Sequence, residues 1–207
     1  MSKQILAKVA DYYTRKLQEN GENHLGLDWN SKESQFLRFK QLAKIIEFSA
    51  PFSVIDYGSG LGDFVHYLNQ NKTSLFNYIG FDLSKEMIEV SKKRFKSTTT
   101  IDFTTVEPTH VSDYLVASGI FNVMPQPYDL KVWEEYMYSS LNTFNQLTSK
   151  GFAFNVLTSY SDTEFKKDYL YYADPLKLFD YCKKTFSRNV ALLHDYNLYE
   201  FTILVRK

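Results

Sequence analysis

The chain has 207 residues, enough for one substantial core, with 44% apolar and 23% charged residues. Its 24 Lys and Arg equal its 24 Asp and Glu, so no net basic field recruits nucleic acid, and no stretch reaches the roughly 18–20 apolar residues of a membrane span. Cys182 is the sole cysteine, which leaves no internal disulfide or cysteine metal cluster, and the polar stretch "MSKQILAKVADYYTRK" lacks the apolar centre of a signal peptide; these features predict a cytoplasmic, single-domain protein with no membrane insertion.

Ile5, Leu6, Val9, Tyr12, Tyr13 and Leu17 recur at helical spacing and predict a helix over 5–18. The glycine-bearing stretch "NGENHLGLDWNS" reads as a loop. Ser31 is placed to cap a second helix, with Ser34 where a complete capping box carries Glu or Gln. Phe36, Leu37, Phe39, Leu42, Ile45 and Ile46 supply that helix's apolar side. "FSVIDY" then reads as a buried strand, and strand and helix patterns alternate from there. A helix over 64–70 leads to the strand "NYIGFDL" and to "SKEMIEVSKKRF", a helix capped by Ser84. "TIDFTTV" and "SDYLVASGIF" read as strands, 132–147 as a helix and "GFAFNVLT" as a strand. The helix "PLKLFDYCKKTF" and the strands "NVALLHDY" and "YEFTILVRK" close the chain. This order predicts an α/β fold with helices on both faces of a mostly parallel sheet and one antiparallel strand. Residues 1–48 read as a helical cover and 49–207 as the α/β core.

The chemistry centres on "VIDYGSGLGDF". Strand, glycine turn, helix lets backbone approach a ligand closely and offers helix N-terminal N–H groups. The pattern is Gly58-x-Gly60-x-Gly62, with Asp56 two residues ahead. A dinucleotide fingerprint wants glycine where Asp63 stands, and the Gly-Lys-Ser/Thr of a Walker loop is absent. Asp82 ends the next strand, twenty residues after Gly62. A carboxylate there can accept hydrogen bonds from both hydroxyls of a ribose; alternatively it caps the following helix, a role Ser84 also fits.

"VIDYGSGLGDF" and "YIGFDLSKEMIEVSKKRF" resemble the first two motifs of class I S-adenosylmethionine-dependent methyltransferases. The resemblance continues through "DYLVASGIFNV", "GFAFNVLTS" and the terminal hairpin. It implies a Rossmann-like seven-stranded sheet whose last strand is antiparallel. It also implies S-adenosylmethionine as cofactor and S-adenosylhomocysteine as product. Asp56 and the turn of Gly58, Ser59, Gly60 and Gly62 would hold the amino-acid end of the cofactor. Asp82 would bind the ribose and Leu83 would pack by the adenine. The stretch around Val106 would lie at the adenine edge, although "TVEP" departs there from the family's acidic-then-small pattern. Ser118 and Gly119 would line the floor beneath the methionine chain. The lead-in "GLDWNSKESQFLRF" resembles that of a bacterial subgroup of small enzymes associated with surface-polysaccharide, or capsule, synthesis.

In an open α/β sheet ligands lie beyond the carboxyl ends of the strands, which selects 119–122, 155–160 and 194–196 and with them Asn122 and Asn155. Methyl transfer from a sulfonium asks for alignment and a deprotonated nucleophile, and no metal is required. His24 and His194 are the candidate bases, while His66 and His110 read as peripheral. Tyr12, Tyr13 and Arg15 share the first helix; Tyr169, Tyr171 and Tyr172 follow the fifth strand. Tyrosine faces suit a cationic sulfonium or ammonium, and their hydroxyls can orient an amine or phosphate. Tyr12 is therefore a third catalytic candidate, with Tyr13, Arg15, Tyr169 and Tyr172 facing the substrate. Trp29 and Arg38 would shape the cofactor's carboxylate end, with Glu33 and Asp28 as alternative surface partners for Arg38. The leading expectation is methylation of a small soluble molecule, on the nitrogen of a phosphorylated amino alcohol such as ethanolamine phosphate. The alternatives are O-methylation of a sugar or sugar nucleotide, and a non-catalytic cofactor-binding scaffold. A nucleic-acid substrate is disfavoured by the neutral charge and by "SGIFNVMP", which stands where an Asn/Asp-Pro-Pro-Tyr/Phe motif would be.

Overall fold

Strands β1 (Phe52–Tyr57), β2 (Phe76–Phe81), β3 (Ile101–Thr104), β4 (Ser112–Ala117), β5 (Thr148–Leu157), β6 (Asn189–Leu193) and β7 (Glu200–Arg206) form one sheet in a computed structural model. The structure describes residues 3–71, 74–124, 127 and 129–207. Strand order is β3-β2-β1-β4-β5-β7-β6. The pairings of β7 with β5 and β6 are antiparallel and the others parallel. This is the expected Rossmann-like sheet with its antiparallel last strand.

The period of two along each strand divides the core into two layers. Ile55, Leu115, Phe152, Phe154, Ile203 and Val205 face one side, against helices α5 (Leu130–Gln146) and α6 (Pro175–Thr185). Val54, Val116, Ala153 and Leu204 face the other, against α2 (Lys32–Leu42), α3 (Asp63–Asn71) and α4 (Lys85–Arg94). Both faces are covered, which is why β4 and β5 read as nearly continuous apolar runs. Cys182 is buried on α6, and burial pushes its thiol up to about 12.

Helix starts follow their caps. Ser31 Oγ accepts from Ser34 N and Ser84 Oγ from Met87 N. Ser34 cannot complete a capping box; its hydroxyl instead donates to the Ser31 carbonyl at 2.9 Å. Asp174 caps α6, with Pro175 in the first turn.

Strand ends shift in several places, β5 beginning at Thr148 rather than Gly151 and β6 ending at Leu193 rather than Tyr196, and two further departures from the sequence pattern bear on the site. β4 stops at Ala117, and 118–121 form a turn with Gly119 at φ 73. Those turn residues are apolar because Phe121 is buried against α5, not because the strand continues. Residues 32–46, grouped with the cover by the sequence pattern, pack into the core through Phe39, Leu42, Ile45 and Ile46. The covering segment is therefore α1 (Lys3–Asn20) with the 3-10 turn His24–Leu27. It is fastened by Leu17 and Leu27 against Leu61 and Met87, and by Thr14 Oγ1 at 2.8 Å from Ser84 Oγ. Among the described residues no helix is long and apolar enough to cross a membrane.

Candidate active site

The strand order reverses direction between β1 and β4, which opens a crevice beyond their carboxyl ends. Two turns flank it. After β1, Gly58, Gly60 and Gly62 all adopt positive φ, a left-handed backbone that favours glycine. Gly58 N and Ser59 N both donate to the Phe81 carbonyl, clamping the turn to the end of β2. A Cβ at Gly60 would stand 2.6 Å from Leu27 Cδ2, so the cover rests directly on the turn. Asp82 braces the same turn: Oδ2 accepts from Gly60 N and Oδ1 from Ser84 N, each at 2.9 Å. Ser84 caps α4, and Asp82 remains free to line the cavity.

The inner cavity lies under this arrangement. Gly58, Ser59, Gly60, Asp82, Leu83, Ser118 and Gly119 line it, roofed by Val9, Tyr13, Leu27 and Trp29 of the cover. Asp56, 3% exposed, also lines it. Burial pushes the Asp56 carboxyl up to about 7, although the Tyr78 hydroxyl donates to Oδ2 at 2.6 Å. Burial also raises the Asp82 carboxyl, opposed by N–H bonds from Ser84, Gly60 and Leu83.

The outer cavity adjoins the inner one and shares Tyr13, Leu27, Trp29 and Gly119 with it. Asp28, Arg38, Asn122, Lys167, Tyr169, Tyr172 and Glu200 are among its walls. A buried network stands at the junction. Glu200, 1% exposed, accepts from Arg38 Nε and Nη2, both at 2.8 Å, from Asn155 Nδ2 at 2.6 Å and from Asn122 Nδ2 at 3.3 Å. Asn155 Oδ1 accepts from Gly119 N at 2.8 Å. The Arg38 guanidinium lies 4.4 Å from the Trp29 ring centre, and a Cβ at Gly119 would meet Trp29 at 2.5 Å.

Several expected site residues lie elsewhere. His194 is exposed, lines neither cavity and packs against the rings of Tyr160 and Phe201. It follows β6, the edge strand, three strands from the crevice. His24 sits in the 3-10 turn and lines neither cavity. Tyr12 and Arg15 line a separate groove along α1 that shares Val123 and Tyr169 with the outer cavity; Tyr12 donates to Asp28 Oδ2 at 2.6 Å and Arg15 Nε to the Asp11 carbonyl. Val106 is 72% exposed; the chain bends at 105–106 beyond the end of β3, and its neighbours Thr105 and Glu107 line a side pocket with Tyr57 and Leu83. Arg38 lines the outer cavity rather than the inner, and it pairs with Glu200 rather than with Glu33 or Asp28. Asn155 is fully buried and reaches the site through Gly119 and Glu200. Trp29 and Tyr13 bridge both cavities, and Tyr169 and Tyr172 line the outer one.

The sequence pattern missed Gln35 and Asp63, which line the inner cavity and are joined by a 3.0 Å bond from Gln35 Nε2 to Asp63 Oδ2. Asp63 carried a signal as the acid standing where a dinucleotide fingerprint needs glycine. Asp28 and Glu200 were also missed as cavity carboxylates. Glu200 was legible only as a lone acid opening an apolar strand. Among the described residues no group of three His, Cys, Asp or Glu side chains could hold a metal ion.

The sheet order, the glycine turn at the switch point and the acid ending β2 define a Rossmann-like cofactor-binding enzyme fold. No family model matches the chain. A Mycobacterium tuberculosis (strain ATCC 25618 / H37Rv) protein named "Putative methyltransferase Rv1506c" is 45% identical over 165 residues, spanning 79% of this chain and 98% of that protein. Magnesium protoporphyrin IX methyltransferase from Synechocystis PCC 6803, solved with bound SAM, superposes with a TM-score of 0.65 at 12% identity, covering 100% of this chain and 98% of that one. The putative methyltransferase solved with the Haloferax volcanii Trm112 activator gives 0.60 at 11% identity, covering 97% and 96%. The chain belongs to the class I S-adenosylmethionine-dependent methyltransferases.

Proposed function

We propose that the inner cavity holds S-adenosylmethionine and that its methyl group passes to a small molecule in the outer cavity. One observation carries this reading: the two cavities meet at a wall shared by Tyr13, Leu27, Trp29 and Gly119. The inner residues fit the cofactor. Ser59 Oγ and Ser118 Oγ are buried there without hydrogen-bond partners, and such groups call for a polar ligand. Asp82 takes the ribose hydroxyls, Leu83 packs by the adenine, and Asp56 with the glycine turn receives the amino-acid end. When bound, the cofactor supplies an electrophilic methyl group on a sulfonium. The chain's part is to align the acceptor with the junction and to exclude water beneath α1.

The acceptor in this reading is a small amine bearing an anionic group, of the type of ethanolamine phosphate. The Tyr13 face suits an ammonium, while the rings of Tyr169 and Tyr172 each already carry a lysine ammonium on one face, Lys167 at 5.7 Å and Lys166 at 5.5 Å, and Lys167 suits the anion. Burial and, for Tyr12, the bond to Asp28 hold the Tyr12 and Tyr13 phenols well above their ordinary range, so they orient rather than deprotonate. Asp28 and Glu200 are carboxylates of this wall, and both are already paired, Asp28 with Tyr12 and Lys16 and Glu200 with Arg38 and two asparagines. An alkylamine needs only to shed its ammonium proton before attack, whereas a hydroxyl asks for a stronger base. A second reading, O-methylation of a sugar or sugar nucleotide in surface-polysaccharide synthesis, is favoured by the hydrogen-bonding groups of Asn122, Ser161 and Asn197 in the same wall. The test is a screen of small amines, phosphorylated amines and nucleotide sugars with methyl-labelled cofactor, read by mass spectrometry and proton NMR. The expected product carries the label on nitrogen. Label on a sugar oxygen alone would establish the second reading.

A further inference from the structure

We infer that Arg38 anchors the acceptor, its Nη1 receiving a carboxylate or phosphoryl oxygen at the junction of the two cavities; this rests on the assignment of the outer cavity to the acceptor. Trp29, Arg38, Glu200, Asn155 and Gly119 form a closed ring there. Trp29 stacks on Arg38, Arg38 forks onto Glu200, Glu200 accepts from Asn155, and Asn155 accepts from Gly119. The ring closes where Trp29 packs so tightly on Gly119 that no Cβ would fit. Each named polar contact in this ring is internal, with one exception. Arg38 is 7% exposed and lines the outer cavity, yet its Nη1 is buried without a hydrogen-bond partner.

A buried guanidinium N–H without an acceptor is costly, and such groups are commonly satisfied by a ligand. Arg38 spends Nε and Nη2 on Glu200 and keeps Nη1, so the site offers an oxygen one side of the guanidinium rather than its full fork. The pairing also fixes the charge of the cavity. Among the wall's charges Glu200 offsets Arg38 and Lys16 offsets Asp28, so Lys167 tips the balance positive, which favours an acceptor that carries an oxyanion. Because the stacked face of Arg38 is held by Trp29, a wall of both cavities, an oxygen on Nη1 is held beside the route to the methyl group.

Calorimetric titration of the full chain with acetate, inorganic phosphate and ethanolamine phosphate, with and without saturating S-adenosylhomocysteine, tests this. Trp29 fluorescence gives a second readout. At least one oxyanion probe is expected to bind at millimolar concentration in the presence of S-adenosylhomocysteine. Arg38→Lys keeps the charge but loses Nη1 and should weaken that binding tenfold or more, with S-adenosylhomocysteine affinity changed less than threefold. Glu200→Gln guards against a folding defect in the first variant, because the expected sign is opposite. It removes the counter-charge but sets an amide –NH2 against donors that the carboxylate serves, so thermal melting accompanies it, and in the folded variant oxyanion affinity should rise threefold or more. The inference is overturned if no probe binds, if both variants bind it as the wild type does, or if Arg38→Lys weakens S-adenosylhomocysteine instead. Failure of S-adenosylhomocysteine itself to bind would strike the methyltransferase reading, and the oxyanion titrations would then be judged without it.

Discussion

Asp56 is a carboxyl group held at the bottom of a cavity, where its charged form is poorly solvated. In the unfolded chain it titrates at ~3.9; in the fold, burial moves it to about 7. The folded protein therefore binds more protons between those values, and its stability falls as pH rises from about 4 to about 7 before levelling. The size is on the order of a few kcal/mol, since each tenfold change in proton affinity is worth about 1.4 kcal/mol. Asp56→Asn should remove that slope. Denaturant unfolding of both proteins across this range checks it, and parallel profiles would rule it out. Asp82 has a different job. Losing a charge-assisted contact to the ribose should cost ~2–3 kcal/mol, or roughly 30- to 150-fold in cofactor affinity. Calorimetry on Asp82→Ala measures this, with thermal melting alongside because Gly60 and Ser84 also lean on the carboxylate. Unchanged affinity in a folded variant would remove Asp82 from the site.

At the scale of the element, α1 and the His24–Leu27 turn are the pieces that make a crevice into a cavity. Their hold on the core is the packing of Val9, Ile5 and Tyr13 on the main core, an apolar cluster around Leu17 and Leu27, and polar ties from Thr14 to Ser84 and from Arg94 to Glu22. Residues 3–30 should exchange amide hydrogen more slowly once S-adenosylhomocysteine and an acceptor are bound, because the roof gains partners from below. Equal exchange with and without both ligands would show that this segment is not a responsive cover. Most elements were legible because their periods are plain. "FSVIDY" coincides with β1, and Ser31 and Ser84 cap the helices they announce. The end of β4 was not legible. "SGIF" is as apolar as the strand before it, and only the positive φ of Gly119 reveals the turn.

At the scale of the whole molecule, the walls of the inner cavity were far more legible than those of the outer one, the proposed acceptor cavity. Asp56, the glycine turn and Asp82 sit in two short windows of sequence, each at a strand end. The acceptor wall is assembled from distant segments. Arg38 and Glu200 are 162 residues apart, and nothing local to either announces the other. His194 stands near a plausible loop in sequence and three strands from the crevice in space, and His24 shares a turn with Leu27 yet lines neither cavity. The central claim is spatial, that cofactor and acceptor occupy adjoining cavities joined beside Trp29 and Gly119. A crystal structure of the complex with S-adenosylhomocysteine tests it most directly. The ribose hydroxyls are expected on Asp82, the amino-acid end over the Gly58–Gly62 turn and the sulfur at the wall shared with the outer cavity. A ligand seated in the outer cavity against Arg38, with Asp82 untouched, would contradict it.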